Sequence, residues 1–179
     1  MASHLRGVGE ARQSFRRAVA RLDFDQGSSL RLGRKRGEQN QAIGRSRGGR
    51  TTKIHGLSDP RCRPVVLHLT PGQDADIAAA PDVLALAPTM RALIADKGYD
   101  GDALRADIVK RGATPVIPNK SNRIVIHRFN KRAYKGRNVI ERSFCRLKDF
   151  RRIATRYDKL ARNFLSAVHL AALVAYWLN

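Results

Sequence analysis

Short hydrophobic runs alternate with helical patterns through the second half of the chain. The runs Thr51–Leu57 and Arg63–Thr70 are rich in β-branched residues and flank an Asp-Pro turn, which predicts a β-hairpin. Two shorter apolar runs, Met90–Ala95 and Thr114–Pro118, predict buried strands. Continuous apolar strands of this kind are typical of a sheet that is covered on both faces.

Four segments between and after these strands have helical periodicity. They are Asp74–Ala87, Asp100–Arg111, Asn138–Ile153 and the almost wholly apolar Leu160–Leu178. A basic loop, Asn119–Arg137, precedes the third of them. The order strand, strand, helix, strand, helix, strand, helix, helix predicts an α/β fold with a hairpin at one edge and a parallel core.

The first 49 residues are less regular. Gln13–Phe24 has apolar residues at helical spacing, which predicts a short amphipathic helix. The stretch from Arg31 to Arg50 is rich in Gly and Arg and lacks a hydrophobic period, so it predicts a loop or a flexible arm. We therefore divide the chain into a basic, atypical segment, residues 1–49, and a domain, residues 50–179.

Composition narrows the class of protein. Hydrophobic residues make up 42% of the 179 residues, which is enough to form a core. The two cysteines, Cys62 and Cys145, are far apart, which argues against a disulfide scaffold and a Cys-rich zinc module and fits a reducing compartment. The longest apolar stretch, Ala167–Leu178, has 12 residues, whereas a membrane span needs about 20. The sequence therefore predicts a soluble, cytoplasmic protein.

The charge is large and unevenly distributed. The chain has 35 Lys and Arg against 15 Asp and Glu, a formal net charge of +20. Residues 51–119 carry eight groups of each sign, whereas residues 120–179 carry 15 basic and three acidic groups. A neutral centre with basic flanks predicts a polyanionic partner, and nucleic acid is the first candidate. A basic surface kept for solubility is the alternative, and an anionic membrane fits less well because no large apolar face accompanies the basic runs.

Asp96 is the first candidate for a catalytic residue. It directly follows the apolar run that ends at Ala95, so a strand would place its carboxylate at the carboxyl edge of the sheet. Ligands bind at that edge in open α/β sheets. The alternative interpretation is an aspartate that begins a turn before Lys97-Gly98.

A second carboxylate, Glu141, shares a predicted helix with Tyr134, Arg137 and Lys148. Their spacing places all four side chains within an arc of about 60° on a helix. The buried face of the same region would consist of Ile140, Phe144, Leu147 and Ile153. The alternative interpretation is a solvated helix face with an Arg137–Glu141 pair, which contributes a few tenths of a kcal/mol.

Asp96 and Glu141 could share a divalent cation, because Mg²⁺ and Mn²⁺ prefer carboxylate oxygens. Two such ions about 3.5–4 Å apart support in-line phosphoryl transfer. A pair of ions generally needs a third carboxylate, so this set is one ligand short. The residues point to metal-dependent chemistry on nucleic acid.

The four polar residues have the spacing Tyr-(2)-Arg-(3)-Glu-(6)-Lys, and in this the chain resembles bacterial insertion-sequence transposases of the DDE class. Three further segments resemble the same family: Gly44–His55 (GRSRGGRTTKIH), Ala95–Asp102 (ADKGYDGD) and Asn138–Phe164. The resemblance runs from about Gly37 to Asn179 and corresponds to the C-terminal part of the catalytic domain.

This resemblance implies an RNase H-like mixed sheet with flanking helices, and DNA strand cleavage and transfer with Mg²⁺ or Mn²⁺. Asp96 would be the second and Glu141 the third catalytic and metal-binding acid. Tyr134, Arg137 and Lys148 would contact DNA near the cleavage site. The family also implies double-stranded DNA as partner, a homo-oligomer in a synaptic complex, and a location in the bacterial cytoplasm at the nucleoid.

The chain departs from the family at the first catalytic Asp, which normally lies on the first strand. Asp23 and Asp25 are at roughly the right distance, but their flanking residues do not match and no apolar strand precedes them. We therefore expect a sheet that lacks its usual first strand, with either a marginal fold or another segment in that place. One interpretation is that residues 1–36 are an out-of-frame leader. The alternative function is a catalytically inactive product that only binds DNA.

Overall fold

β-Branched and apolar runs build one mixed sheet in the computed structural model, which describes residues 18–27 as backbone and residues 41–46 and 49–178 with their side chains. Within these residues the sheet has six strands. They are β1 (Ala18–Gly27), β2 (Gly44–Ser46), β3 (Gly49–Ser58), β4 (Pro64–Pro71), β5 (Ala92–Ile94) and β6 (Thr114–Val116). The predicted hairpin of β3 and β4 is confirmed, as are the two short strands that follow it.

Strand β1 lies in the middle of the sheet. The order is β2-β3-β1-β5-β6, with β4 also paired to β3. β1 is antiparallel to β3, with Ala20 opposite Leu57, and parallel to β5, with Val19 opposite Ile94. β6 is parallel to β5. β1, β5 and β6 therefore run in the same direction, and the carboxyl ends of β5 and β6 lie level with Val19, near the start of β1.

The position of β1 corrects one sequence-based prediction and bears on a second. The helix predicted over Gln13–Phe24 is wrong from Ala18 onward, because those residues form a strand; residues 13–17 lie outside the described residues. For the place of the usual first strand we expected either a marginal fold or another segment, and Ala18–Gly27 occupies that central position. The loss of the family's own first strand stays a prediction. Pairing on both sides satisfies backbone groups of β3 and β5 that an empty position would expose. The domain boundary at residue 50 stays a prediction, although β1 and β2 pair with β3 in one sheet.

Helices cover the sheet. They are α1 (Asp76–Ala85), α2 (Asp102–Lys110), α3 (Lys131–Tyr134), α4 (Asn138–Lys148), α5 (Arg151–Ala154) and α6 (Ala161–Tyr176). Two 3-10 turns, Lys97–Tyr99 and Lys135–Arg137, precede α2 and α4. The basic loop is thus shorter than predicted, since its last residues are helical. The helix predicted over Asn138–Ile153 is divided in two at Asp149 and Phe150.

Two hydrophobic cores lie on opposite faces of the sheet. Leu93 belongs to the core under α1 and α2, and its neighbour Ile94 to the core under α4, α5 and α6, because successive strand residues point to opposite faces. Large residues of the first core include Leu57, Val83, Leu84, Tyr99, Ile108 and Ile117. Those of the second include Ile54, Ile140, Phe144, Leu147, Ile153 and Phe164. Each buried aliphatic side chain contributes about 1.5–3 kcal/mol, so both helical layers are firmly attached. Within the described residues, no helix is long and apolar enough to cross a membrane.

Candidate active site

Asp96 lies at the carboxyl edge of the sheet, two residues after the end of β5. It is also the N-cap of the 3-10 turn Lys97–Tyr99, where its Oδ1 accepts a hydrogen bond of 2.7 Å from the Gly98 N–H. The turn is therefore present as predicted, and a catalytic role of Asp96 stays a prediction. The turn fixes one carboxylate oxygen, and the strand places the group where parallel strands of a sheet expose ligand sites.

Glu141 lies in the first turn of α4, next to two of its predicted companions. Its Oε1 is 3.0 Å from Arg137 Nη2, and the two side chains are 37% and 29% exposed. The Arg137 guanidinium carbon is 5.7 Å from the centroid of the Tyr134 ring. The three side chains thus form one connected group. Because the ion pair is partly exposed, it contributes only a few tenths of a kcal/mol to stability.

The predicted polar stripe spans three consecutive helical segments instead of one helix. Tyr134 ends α3, Arg137 ends the 3-10 turn, and Glu141 and Lys148 lie on α4. Lys148 is exposed at the last residue of that helix. The opposite face is buried as predicted, and its members are Ile140, Phe144, Leu147 and, on α5, Ile153. Because α4 is amphipathic, the polar stripe faces away from the core.

Helix α4 packs over β1 and β3 beside the edge that carries Asp96. A β-carbon added at Gly136 would lie 3.6 Å from Ile94 Cδ1, so the turn before α4 rests on the last residue of β5. At the other end, a β-carbon at Gly56 of β3 would lie 2.9 Å from Phe144 Cζ. These close approaches place the turn before α4 against the end of β5, and α4 itself against β3.

The carboxylates in this region are of the chemical type that binds a divalent cation, but two described carboxylates are fewer than a metal site of this kind needs. Asp96 and Glu141 offer the carboxylate oxygens that Mg²⁺ and Mn²⁺ prefer. Among the residues whose side chains are described, no group of three or more His, Cys, Asp or Glu is arranged to hold a metal ion. Asp23 and Asp25 lie on the central strand, where the backbone register shifts between Leu22 and Asp25. Their side chains are outside the described set.

Two anchored groups near Asp96 were missed by the sequence analysis. On one side, Lys53 Nζ of β3 is 2.7 Å from Asp76 Oδ1 of α1. On the other side, Asp100 Oδ1 binds Arg105 and Arg123, at 2.8 Å and 2.9 Å. The sequence contains a signal for each group. A lone Lys in the β-branched run TTKIH indicates the first, and the paired acids of GYDGD indicate the second.

Asp100 ties the basic loop to the segment that follows Asp96. Its Oδ2 accepts a hydrogen bond of 2.7 Å from the Lys120 N–H. Burial opposes ionisation of this carboxyl, but the Lys120 N–H and the guanidinium groups of Arg105 and Arg123 outweigh it and hold the pKa below its usual value. Arg123 also binds Asp102. The loop therefore begins at a fixed position next to the carboxyl edge.

Comparison with known proteins identifies the class. The sequence profile of the family described as "Transposase DDE domain" matches residues 26–178. A protein of Brucella ovis described as a transposase for insertion sequence element IS6501 is 37% identical over 130 residues, which cover 72% of this chain and 99% of that protein. The chain belongs to the family of insertion-sequence DDE transposases, and the resemblance found in its sequence is confirmed.

A structural comparison adds little to this result. A chain from the crystal structure of the Mos1 strand transfer complex aligns with 98% of this chain, at 10% identity and a TM-score of 0.37. The alignment spans 60% of that chain. A TM-score at this level does not establish a common fold. The described sheet and helices show a mixed α/β architecture.

Proposed function

We propose that this chain binds double-stranded DNA and carries out metal-dependent strand cleavage and transfer in the transposition of an insertion sequence, in a bacterial cytoplasm at the nucleoid. The observation that supports this is the placement of Asp96 at the carboxyl edge, beside a helix that presents Glu141 with the family's signature spacing. We further propose that the sheet is RNase H-like. The central position of β1, upstream of all other strands, supports that assignment.

In this proposal Asp96 and Glu141 are the second and third catalytic acids and hold Mg²⁺ or Mn²⁺. When bound, two such ions activate the attacking oxygen of water or a 3′-hydroxyl and stabilise the leaving oxygen of the phosphodiester. The protein fixes its two carboxylates beforehand, Asp96 through its turn and Glu141 through Arg137. The first acid would come from β1, where Asp23 and Asp25 are the two candidates.

The DNA would lie across the basic half of the molecule, with Tyr134, Arg137 and Lys148 next to the cleavage site. Further exposed cations lie in the same part of the chain, and they include Arg128, Lys131, Arg132 and Lys135. Phosphate neutralisation by such groups gives an affinity that falls steeply with salt. The proposal also includes a homo-oligomer in a synaptic complex with DNA. Light scattering of the protein with and without DNA tests for this oligomer.

A DNA-binding product without catalytic activity is the second candidate function. It is favoured by the incomplete set of acids among the described side chains. Both functions need the basic surface for DNA binding. Only the first needs the carboxylates and a metal ion.

A nicking assay separates them. The substrate is duplex DNA with the ends that flank the coding sequence, in Mg²⁺ or Mn²⁺, and the variant is Glu141→Gln. Catalysis predicts that the variant loses cleavage by at least about 100-fold, because a metal ligand is lost, and keeps or improves binding, because a negative charge leaves a basic surface. Asp107→Asn, at an exposed pair on α2, is the matched control and should cut normally. Equal cleavage by Glu141→Gln contradicts its role, and binding without cutting by the unmodified chain supports the second function.

A further inference from the structure

Lys53 lies at an inner position of the sheet and carries a charge that needs a partner. On β3 its backbone is opposite Asp25 of β1 and Thr70 of β4. Its side chain is only 17% exposed. The ammonium group donates hydrogen bonds to Asp76 Oδ1, at 2.7 Å, and to the Asp74 carbonyl oxygen, at 2.9 Å. A partly buried ammonium with two directed acceptors fixes the start of α1 to the sheet.

Asp76 extends this connection to the turn that holds Asp96. It lies in the first turn of α1, where the helix dipole favours a negative charge, and is 16% exposed. A β-carbon added at Gly98 would lie 2.9 Å from Asp96 Oδ1 and 3.3 Å from Asp76 Oδ2. The two carboxylates therefore flank the same glycine.

The start of α1 also contacts the end of the same turn. A β-carbon added at Gly101 would lie 2.4 Å from Ile77 Cδ1, the residue after Asp76. Gly98 and Gly101 thus both lack a side chain where α1 approaches most closely. The turn is held between β5, from which it starts, and the end of α1 that Lys53 anchors.

We propose that Lys53 and Asp76 are positioning residues for Asp96: Lys53 anchors Asp76, and Asp76 with Ile77 fixes the turn that orients the Asp96 carboxylate. This inference rests on the proposed function, which makes Asp96 a metal-binding acid. Groups that orient a ligand in this way typically change metal affinity by about 10–100-fold when they are removed. Lys53 also offsets the repulsion between two neighbouring carboxylates.

The first test is amide hydrogen exchange of the full chain, measured by mass spectrometry on peptides that cover residues 95–101. Lys53→Met should raise exchange there by about tenfold or more, because the turn loses its support, while peptides from β3 and β4 keep their protection. Lys53→Arg should restore protection, since a guanidinium can reach the same acceptors. Asp107→Asn should match the unmodified chain. Unchanged exchange in Lys53→Met, or an equal rise in all peptides, overturns the proposal.

The second test is Mn²⁺ binding by calorimetry. Lys53→Met should weaken the affinity by about 10–100-fold, and Asp96→Asn should abolish it. Gly98→Ala is an independent variant, because it leaves the Lys53–Asp76 pair intact and places a methyl group between the two carboxylates; it too should weaken binding. Normal affinity in Lys53→Met overturns the proposal. Loss of Mn²⁺ binding in Asp76→Asn with normal exchange at residues 95–101 also overturns it, since Asp76 would then be a direct ligand.

The two tests separate this inference from the proposed function. If the unmodified chain binds no Mn²⁺, the metal site is contradicted, and the positioning of the turn is decided by hydrogen exchange alone. If Lys53→Met fails to fold, Asp76→Asn, which removes the other member of the pair, gives both measurements; normal exchange at residues 95–101 in that variant overturns the proposal.

Discussion

Arg156 offers the most direct test of how the chain is held together, because its side chain is fully buried. It lies in the connection between α5 and α6, and its guanidinium carbon is 4.9 Å from the centroid of the Phe164 ring. Its five acceptors are the carbonyl oxygens of Gln41 (2.6 Å), Ala42 (3.3 Å), Asp158 (2.9 Å) and Lys159 (3.1 Å), and the hydroxyl oxygen of Thr52. One side chain thus joins the C-terminal helices to the chain that enters β2.

Replacing Arg156 with Met removes all five hydrogen bonds and leaves their acceptors buried. Hydrogen bonds from a charged donor contribute about 1.5–3 kcal/mol each, but the full sum does not apply, because removing the buried charge also removes its desolvation penalty. That penalty is visible in the pKa of Arg156, which burial lowers to about 10 against a smaller opposing effect of Asp158. We therefore expect a loss of about 3–5 kcal/mol, a large fraction of the 5–15 kcal/mol of a typical domain.

Urea unfolding followed by far-ultraviolet circular dichroism measures this loss. Arg156→Lys should lose about 2–3 kcal/mol, since one ammonium cannot reach acceptors on both sides of the planar group. Arg152→Met is the matched control: Arg152 is 65% exposed and paired with Asp158, so its removal should leave the urea midpoint nearly unchanged. A loss in Arg156→Met no larger than that of the control refutes the reasoning.

Three further predictions concern the sheet and the basic loop. Gly56→Ala should lower the free energy of unfolding by about 1–3 kcal/mol, because the new β-carbon meets the Phe144 ring at 2.9 Å; an unchanged urea midpoint contradicts this. Burial lowers the pKa of His55 to about 4, below its unfolded value of about 6.5, so the unfolded chain binds more protons and stability falls by about 3 kcal/mol from pH 6.5 to pH 4. In His55→Gln the free energy of unfolding should depend less on pH over this range. An equal pH dependence in the variant and the unmodified chain contradicts the prediction. Asp100→Asn weakens the anchoring of the loop through Arg123, so trypsin should cleave residues 119–130 faster than in the unmodified chain. An equal increase in cleavage throughout the chain contradicts this prediction.

Local patterns were enough to predict most of the secondary structure and the setting of the candidate acids. Strands β3 and β4 follow from β-branched runs, and α6 from a continuous apolar segment. The position of Asp96 follows from the apolar run before it. The buried face of α4 follows from a 3.6-residue period. All of these signals lie within a few residues of the feature that they predict.

Features that depend on partners far along the chain could not be predicted in this way. Ala18–Phe24 has helical spacing but forms a strand, because β3 pairs along it and β5 pairs with its first two residues. Arg156 binds Gln41, 115 positions away, and Lys53 binds Asp76, 23 positions away. No short window of sequence contains both members of such a pair.

Strand β1, at the centre of the sheet, has two separate requirements to meet: one for the fold and one for the proposed activity. A strand at Ala18–Gly27 meets the hydrogen-bonding needs of its neighbours whatever its side chains are. The proposed catalysis needs more, namely a carboxylate at one position of that strand, and the match to the transposase family begins only at residue 26, after Asp23 and Asp25. A segment can therefore complete the sheet without supplying the first acid. The basic surface of residues 120–178 lies within the family match, so the proposed DNA binding rests on residues outside the centre of the sheet. Binding and cleavage should accordingly be separable in this molecule.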